Sequence, residues 1–133
     1  FEILIYVKSS LESLELRGNE LGNVGMVDVM RGARRAKKLK KLDVADNKFE
    51  EEKEVIDGFL DLFAANTTLE HYDLVGNGIT DAGAEKLIRG MFSKSHLKKV
   101  LIPPDTCSAK CFEALETALG VKKGGKAKKG KKK

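Results

Sequence analysis

Tryptophan is absent from this 133-residue sequence and aromatic residues make up only 6% of it, which suits a core of stacked aliphatic side chains. Cys107 and Cys111 are the only cysteines, too few for the disulfide framework of a small secreted domain. Cys107 falls on an inward position of the pattern described below, so a buried thiol is expected there. Two histidines, His71 and His96, stand far apart in the chain and supply no metal-ligand set. No apolar run approaches the ~20 residues of a membrane-spanning helix, and no signal-peptide pattern is visible. These absences favour an intracellular chain with no cofactor and no metal.

What is present is a recurrence. Leu11-Glu-Ser-Leu14-Glu-Leu16-Arg-Gly-Asn19-Glu-Leu21 returns as Leu39-Lys-Lys-Leu42-Asp-Val44-Ala-Asp-Asn47-Lys-Phe49. It returns again as Leu69-Glu-His-Tyr72-Asp-Leu74-Val-Gly-Asn77-Gly-Ile79. A weaker fourth copy reads Leu97-Lys-Lys-Val100-Leu-Ile102-Pro-Pro-Asp105-Thr-Cys107, and the starts lie 28, 30 and 28 residues apart. Alternating apolar residues such as Leu14 and Leu16 suit a short strand with one buried and one wet face. The Asn beyond each strand sits where the chain must turn, and its amide can both donate to and accept from neighbouring turns. A ladder Asn19, Asn47, Asn77 is therefore expected. Asp105 takes the last rung and, when ionised, can only accept, so a looser final coil is expected.

This pattern resembles the leucine-rich repeat, in the long version of the ribonuclease-inhibitor-like subfamily. Ala65-Asn66-Thr67-Thr68-Leu69 and Gly76-Asn77-Gly78-Ile79-Thr80-Asp81-Ala82-Gly83 look like the generic consensus of that group. The resemblance covers residues 11–120 and implies an α/β solenoid of about four repeats, with short parallel strands on the concave side and α-helices on the convex side. It also implies a surface for binding other proteins. The family includes enzyme inhibitors, activators of the small GTPase Ran, and actin-capping, innate-immune and ciliary proteins. Ran activators typically end in an acidic tail, whereas this chain ends in lysines.

The apolar spacings place the helices. Ile56, Phe59, Leu60 and Phe63 share one helical face, as do Leu87, Ile88 and Met91 after a start at Thr80–Asp81. Phe112, Leu115, Ala118 and Leu119 follow Ser108 and stop at Gly120. The first helix is less regular, with Val27, Val29 or Met26, Met30 and Ala33. Residues 1–10 align with the stretch before the third repeat, so they are expected to end the helix of a preceding repeat; the β-branched Ile3, Ile5 and Val7 favour a strand instead. On this reading the chain is the C-terminal part of a longer solenoid. Asn66-Thr67-Thr68 fits a glycosylation sequon but is read as a tight connection from helix to strand. Residues 121–133 contain eight lysines, no acid and almost nothing apolar, and are expected to form a flexible tail.

The net charge of +5 conceals a division, because the remaining 17 basic residues face 20 acidic ones. Lys122, Lys123, Lys126, Lys128 and Lys129 lead a tail suited to salt-dependent binding of an anionic surface, acidic tubulin or nucleic acid. A second basic run, Arg31, Arg34, Arg35, Lys37 and Lys38, closes the first helix. There it suits the negative helix end and also forms a basic rim open to an anionic partner. Asp46, Glu50, Glu51, Glu52 and Asp81 fall on the opposite rim.

The repeat aligns the outward strand residues in columns: Ser13, Lys41, His71, Lys99; then Glu15, Asp43, Asp73, Leu101; then Arg17, Ala45, Val75, Pro103. Carboxylates on adjacent strands, roughly 5 Å apart, repel unless something positive neutralises them. Arg17 and Lys41 can do this within the chain, or a partner's Lys or Arg can. The concave-face candidates are therefore Glu15, Arg17, Lys41, Asp43, His71, Asp73 and Lys99. No catalytic residue is assigned, since an open wet sheet cannot exclude water and His71 has no matching nucleophile. The reading that emerges is a non-enzymatic interaction module or scaffold, cytoskeletal or ciliary, within a larger assembly. A regulator of an enzyme or small GTPase and an RNA-associated protein stand as alternatives. A cytoplasmic location is expected, with cytoskeleton, cilium or nucleus left open.

Overall fold

A computed structural model describes residues 10–120. Four strands and four helices alternate along the chain: β1 (Ser13–Glu15), α1 (Gly22–Ala33), β2 (Lys41–Asp43), α2 (Lys53–Ala65), β3 (His71–Asp73), α3 (Asp81–Met91), β4 (Lys99–Leu101) and α4 (Ala109–Leu119). The strands form one parallel sheet in chain order, and each helix packs against the next. Register places Leu14, Leu42, Tyr72 and Val100 side by side, as the repeat spacing requires. The chain thus coils as a solenoid, with the sheet on one side and the helices on the other. Residues 1–9 of the expected preceding helix and the lysine tail lie outside the described residues, and Ser10 is not helical.

Burial follows position in the stack. Leu39, Leu42, Leu69, Leu74 and Leu87 are fully buried, whereas Leu11, Leu14, Leu16 and Leu21 of the first repeat are half-buried. Covering one such side chain stabilises the fold by roughly 1.5–3 kcal/mol, and each coil supplies that cover for its neighbour. Phe112 and Leu119 on α4 are likewise half-buried. The core is less uniformly aliphatic than the composition suggests. Phe49, Phe59, Phe63 and Tyr72 converge in its middle, with Phe63 meeting Tyr72 edge-on at 5.0 Å and Phe59 lying 5.8 Å from Phe49. Few aromatics are present, but the repeat gathers four of them at one level.

The Asn ladder forms as its spacing predicts. Asn47 Oδ1 accepts the Asn19 N–H at 2.8 Å, and Asn77 Oδ1 accepts the Asn47 N–H at 2.8 Å. Their amide nitrogens donate across the coils, Asn47 to the Leu16 carbonyl at 2.9 Å and Asn77 to the Val44 carbonyl at 3.0 Å. Asn47 and Asn77 are buried, yet both ends of each amide are engaged, so neither carries the penalty of an unpaired polar group. Asp105 is exposed instead. The backbone explains why the fourth coil departs. Gly18, Asp46 and Gly76 each turn the chain with φ of 76°, 55° and 77°, but their counterpart is Pro104, whose ring confines φ to negative values. Contact with the third coil passes to Thr106 and Cys107, whose Oγ1 and Sγ both face the Ile79 carbonyl.

The sequon segment is a connector. Asn66 is buried, its Nδ2 donates to the Ala33 and Ala36 carbonyls, and its Oδ1 accepts from the Thr68 and Leu69 N–H groups. That amide is not available to a glycosyl group in the folded chain. Ser108 caps α4 by accepting the Cys111 N–H, and Gly120 closes it in the left-handed conformation at φ 70°.

Candidate interaction surface

The concave face is built on three-residue strands, so each strand offers two outward side chains. Register puts Ser13, Lys41, His71 and Lys99 in one row and Glu15, Asp43, Asp73 and Leu101 in the next, as expected. The third expected column does not form an exposed line. Ala45 and Pro103 are buried and Val75 is half-buried, because the strands end at Asp43, Asp73 and Leu101 and the chain then bends towards the core.

Arg17 is the exposed member of that third column, and it organises the face. Its guanidinium meets three carboxylates: Asp43 through Nε at 3.3 Å, Asp46 through Nη1 at 3.4 Å and Asp73 through Nη2 at 2.9 Å. Asp43, then Asp73 and Asp46, raise its pKa. The second oxygens of Asp43 and Asp73 accept the N–H two residues on, from Ala45 and Val75, both at 3.1 Å. These two carboxylates therefore clamp the strand ends as well as the arginine. Lys41 reaches Glu15 at 3.5 Å with both side chains largely exposed, a contact of little energetic weight. The carboxylate row is thus neutralised mostly from within. Glu15, Lys41, His71 and Lys99 remain the exposed candidates on the strands themselves, while Asp43 is buried and Asp73 half-buried.

The rims differ in kind. On the acidic rim the carboxylates tie coils together. Glu51 accepts the Thr80 N–H at 2.8 Å, the Thr80 hydroxyl at 2.7 Å and the Gly83 N–H at 2.9 Å, capping α3 from the preceding repeat. Asp81 accepts the Ser108 N–H at 2.8 Å, and Asn23 accepts the Glu50 N–H at 2.7 Å. Asn23, Glu51 and Asp81 occupy one repeat position, so they form a second ladder beside the helix starts. The Ser108 N–H holds the Asp81 carboxyl below the usual carboxylate range. On the basic rim, Arg34, Arg35, Lys37 and Lys38 are exposed, and Arg34 pairs with Asp61 at 3.0 Å. Arg31 pairs with Asp28 at 3.0 Å and lines the convex groove between α1 and α2. The five tail lysines named above lie outside the described residues.

Cys107 and Cys111 are free and buried, as expected for Cys107. Burial pushes the Cys111 thiol up to about 11 and raises that of Cys107, so both stay protonated near neutral pH and are poor nucleophiles. Among the described residues, no helix is long and apolar enough to cross a membrane. Nor do His, Cys, Asp and Glu residues there gather in a group of three or more that could hold a metal ion.

A sequence model of the family described as Leucine Rich repeat matches residues 7–30 and 65–87, spanning the first coil and the third. The chain folds as a leucine-rich-repeat solenoid. No curated protein matches the sequence significantly. Among solved structures, this leucine-rich-repeat solenoid is similar to the leiomodin-1 actin-binding site 2. That likeness has a TM-score of 0.67 at 16% identity, over 80% of this chain and 62% of the other. It is also similar to the tropomodulin C-terminal domain of Caenorhabditis elegans, with a TM-score of 0.60 at 11% identity, over 87% of this chain and 86% of that one. At such identities the likeness is one of fold, and it agrees with the ribonuclease-inhibitor-like form of the repeat. The leucine-rich-repeat chain spans less than two thirds of the leiomodin-1 domain's length.

Proposed function

We propose that this leucine-rich-repeat chain is a non-enzymatic interaction module of the cytoskeleton, docking a protein partner on its concave strands and adjoining rims. The observation that carries this reading is the construction of the concave face. Glu15, Lys41, His71 and Lys99 project from strands held in register by backbone pairing, while the Asn ladder fixes the turns beyond them. Side chains presented at fixed spacing lose little freedom on docking, which favours binding over a flexible surface. The fold likeness to a domain named for actin binding makes actin the first partner to test. The lysines of 121–133 add salt-dependent affinity for acidic polymers, tubulin and nucleic acid included.

Co-sedimentation tests this reading, with actin filaments and microtubules as separate arms, each at low and high salt. The intact chain should pellet with actin filaments. Lys41→Glu combined with His71→Glu should weaken that pelleting, and deletion of 121–133 should flatten its salt dependence. Failure to pellet with either polymer would overturn the cytoskeletal reading.

A further inference from the structure

The outer side of β4 meets no other strand among the described residues. The three joins of the sheet show what such a side can do. The Glu12, Lys40 and Glu70 carbonyls each accept N–H groups from the next coil at 2.7 to 3.1 Å. The Leu16, Val44 and Leu74 N–H groups each donate to the next coil's carbonyl at 2.8 to 3.0 Å. The corresponding groups in the fourth coil are the Lys98 carbonyl and the Ile102 N–H. Lys99 and Leu101 face β3, so the N–H and C=O of Val100 point to the open side as well. Pro103 and Pro104 follow without N–H groups, and this limits any further pairing to one short strand.

Beside this edge lies an open cleft of about 480 Å³ lined by Val100, Leu101, Phe112, Leu115 and Leu119. In the interior of the solenoid the corresponding ground is covered by the next coil's inward side chain, such as Leu42 or Tyr72. The cleft thus has the form of a seat for one apolar side chain in register with Val100. Its mouth is basic: Lys98, Lys99 and His71 stand there against Glu116 alone. Residues 121–133 would bring eight more lysines to that mouth and only Val121 and Ala127 as apolar side chains, so like charge disfavours them as occupant.

We propose that β4 accepts a short extended segment of a partner protein by strand addition. The segment pairs through the Lys98 carbonyl, the Val100 amide groups and the Ile102 N–H. It seats one apolar side chain in the cleft and sets an acidic residue next to it against Lys99, on the side where Lys98 and His71 stand. Backbone pairing supplies affinity, while the cleft and the lysines select an acidic residue next to an apolar one.

The test leaves the protein chain unaltered. The probe is a labelled ten-residue peptide alternating Glu with Leu or Val. Its controls are the same peptide with Lys for Glu and a version N-methylated at alternate amides. Binding is read by fluorescence anisotropy and amide exchange by NMR. The acidic peptide should bind and slow exchange at Val100 and Ile102 but not at Leu42, and both controls should bind roughly tenfold or more weakly. Equal binding of the N-methylated peptide would overturn the proposal. Protection confined to the other strands would do the same. So would Val100 and Ile102 amides already slow in the free chain but fast once 121–133 is deleted, because the chain would then be covering its own edge. His71 and Lys99 border both surfaces, so peptide binding is read on the unaltered chain and pelleting decides none of these outcomes.

Discussion

Replacing Tyr72 with phenylalanine should stabilise this protein. The Tyr72 ring is 1% exposed, packs edge-on against Phe63 and lies 6.4 Å from Phe59, while its hydroxyl is buried with no hydrogen-bond partner among the described residues. The unfolded chain hydrates that hydroxyl, so the fold carries a desolvation cost of roughly 1–3 kcal/mol that no bond offsets. Tyr72→Phe deletes one oxygen and keeps both ring contacts. The expected gain is about 1 kcal/mol or more, which for a body of this size raises Tm by roughly 4 °C. Urea denaturation followed by circular dichroism measures it directly. A second signature lies in alkali. Burial raises the Tyr72 pKa above its unfolded value near ~10, so the folded state keeps the phenol neutral. Stability from this group is intact below that pH and is lost as pH climbs past it, because only the unfolded chain can then ionise. The wild type should lose stability more steeply than Tyr72→Phe above about pH 10. A neutral or destabilising Tyr72→Phe would mean that the hydroxyl has a partner, and the reasoning would fail.

Three further outcomes follow from the ladders and turns. Asn77→Ala should cost about 3 kcal/mol in urea denaturation, since it strands the buried Asn47 N–H and Val44 carbonyl together. Asp81 has a depressed carboxyl pKa, so its contribution is present above the unfolded value near ~3.9 and is lost as pH falls through the folded one. Acid titration should therefore destabilise the wild type more than Asp81→Asn below about pH 5. Gly18 and Gly76 share a left-handed turn, but a Cβ at Gly18 meets open space whereas one at Gly76 collides with the Asp46 carboxylate. Gly18→Ala should cost about 1 kcal/mol and Gly76→Ala more, with the excess reduced when Asp46 is first truncated to alanine, leaving the Asp46 backbone nitrogen at 3.2 Å.

The strands and their register were legible because Leu14, Leu42, Tyr72 and Val100 recur at a period no chance pattern sustains, and strand pairing copies that period into space. The Asn ladder was legible for the same reason. The second ladder was not. Asn23, Glu51 and Asp81 differ chemically, and as letters they read only as an acidic rim; that each caps the following coil depends on side-chain direction. Arg17 was recognised as a neutralising cation. Its grip on three carboxylates was hidden, because Asp46 lies beyond the strand in a turn whose positive φ the sequence does not announce. The buried Ala45 was misjudged by extending strand alternation two residues past its end.

The cluster of Phe49, Phe59, Phe63 and Tyr72 has a mechanical corollary. Contact in a coil stack is nearest-neighbour, so the outer turns can loosen without disturbing the middle, and the densest rings sit where both sides are braced. Pulled from its two ends, such a molecule yields in steps rather than all at once. The rung that holds the aromatic knot is expected to give last.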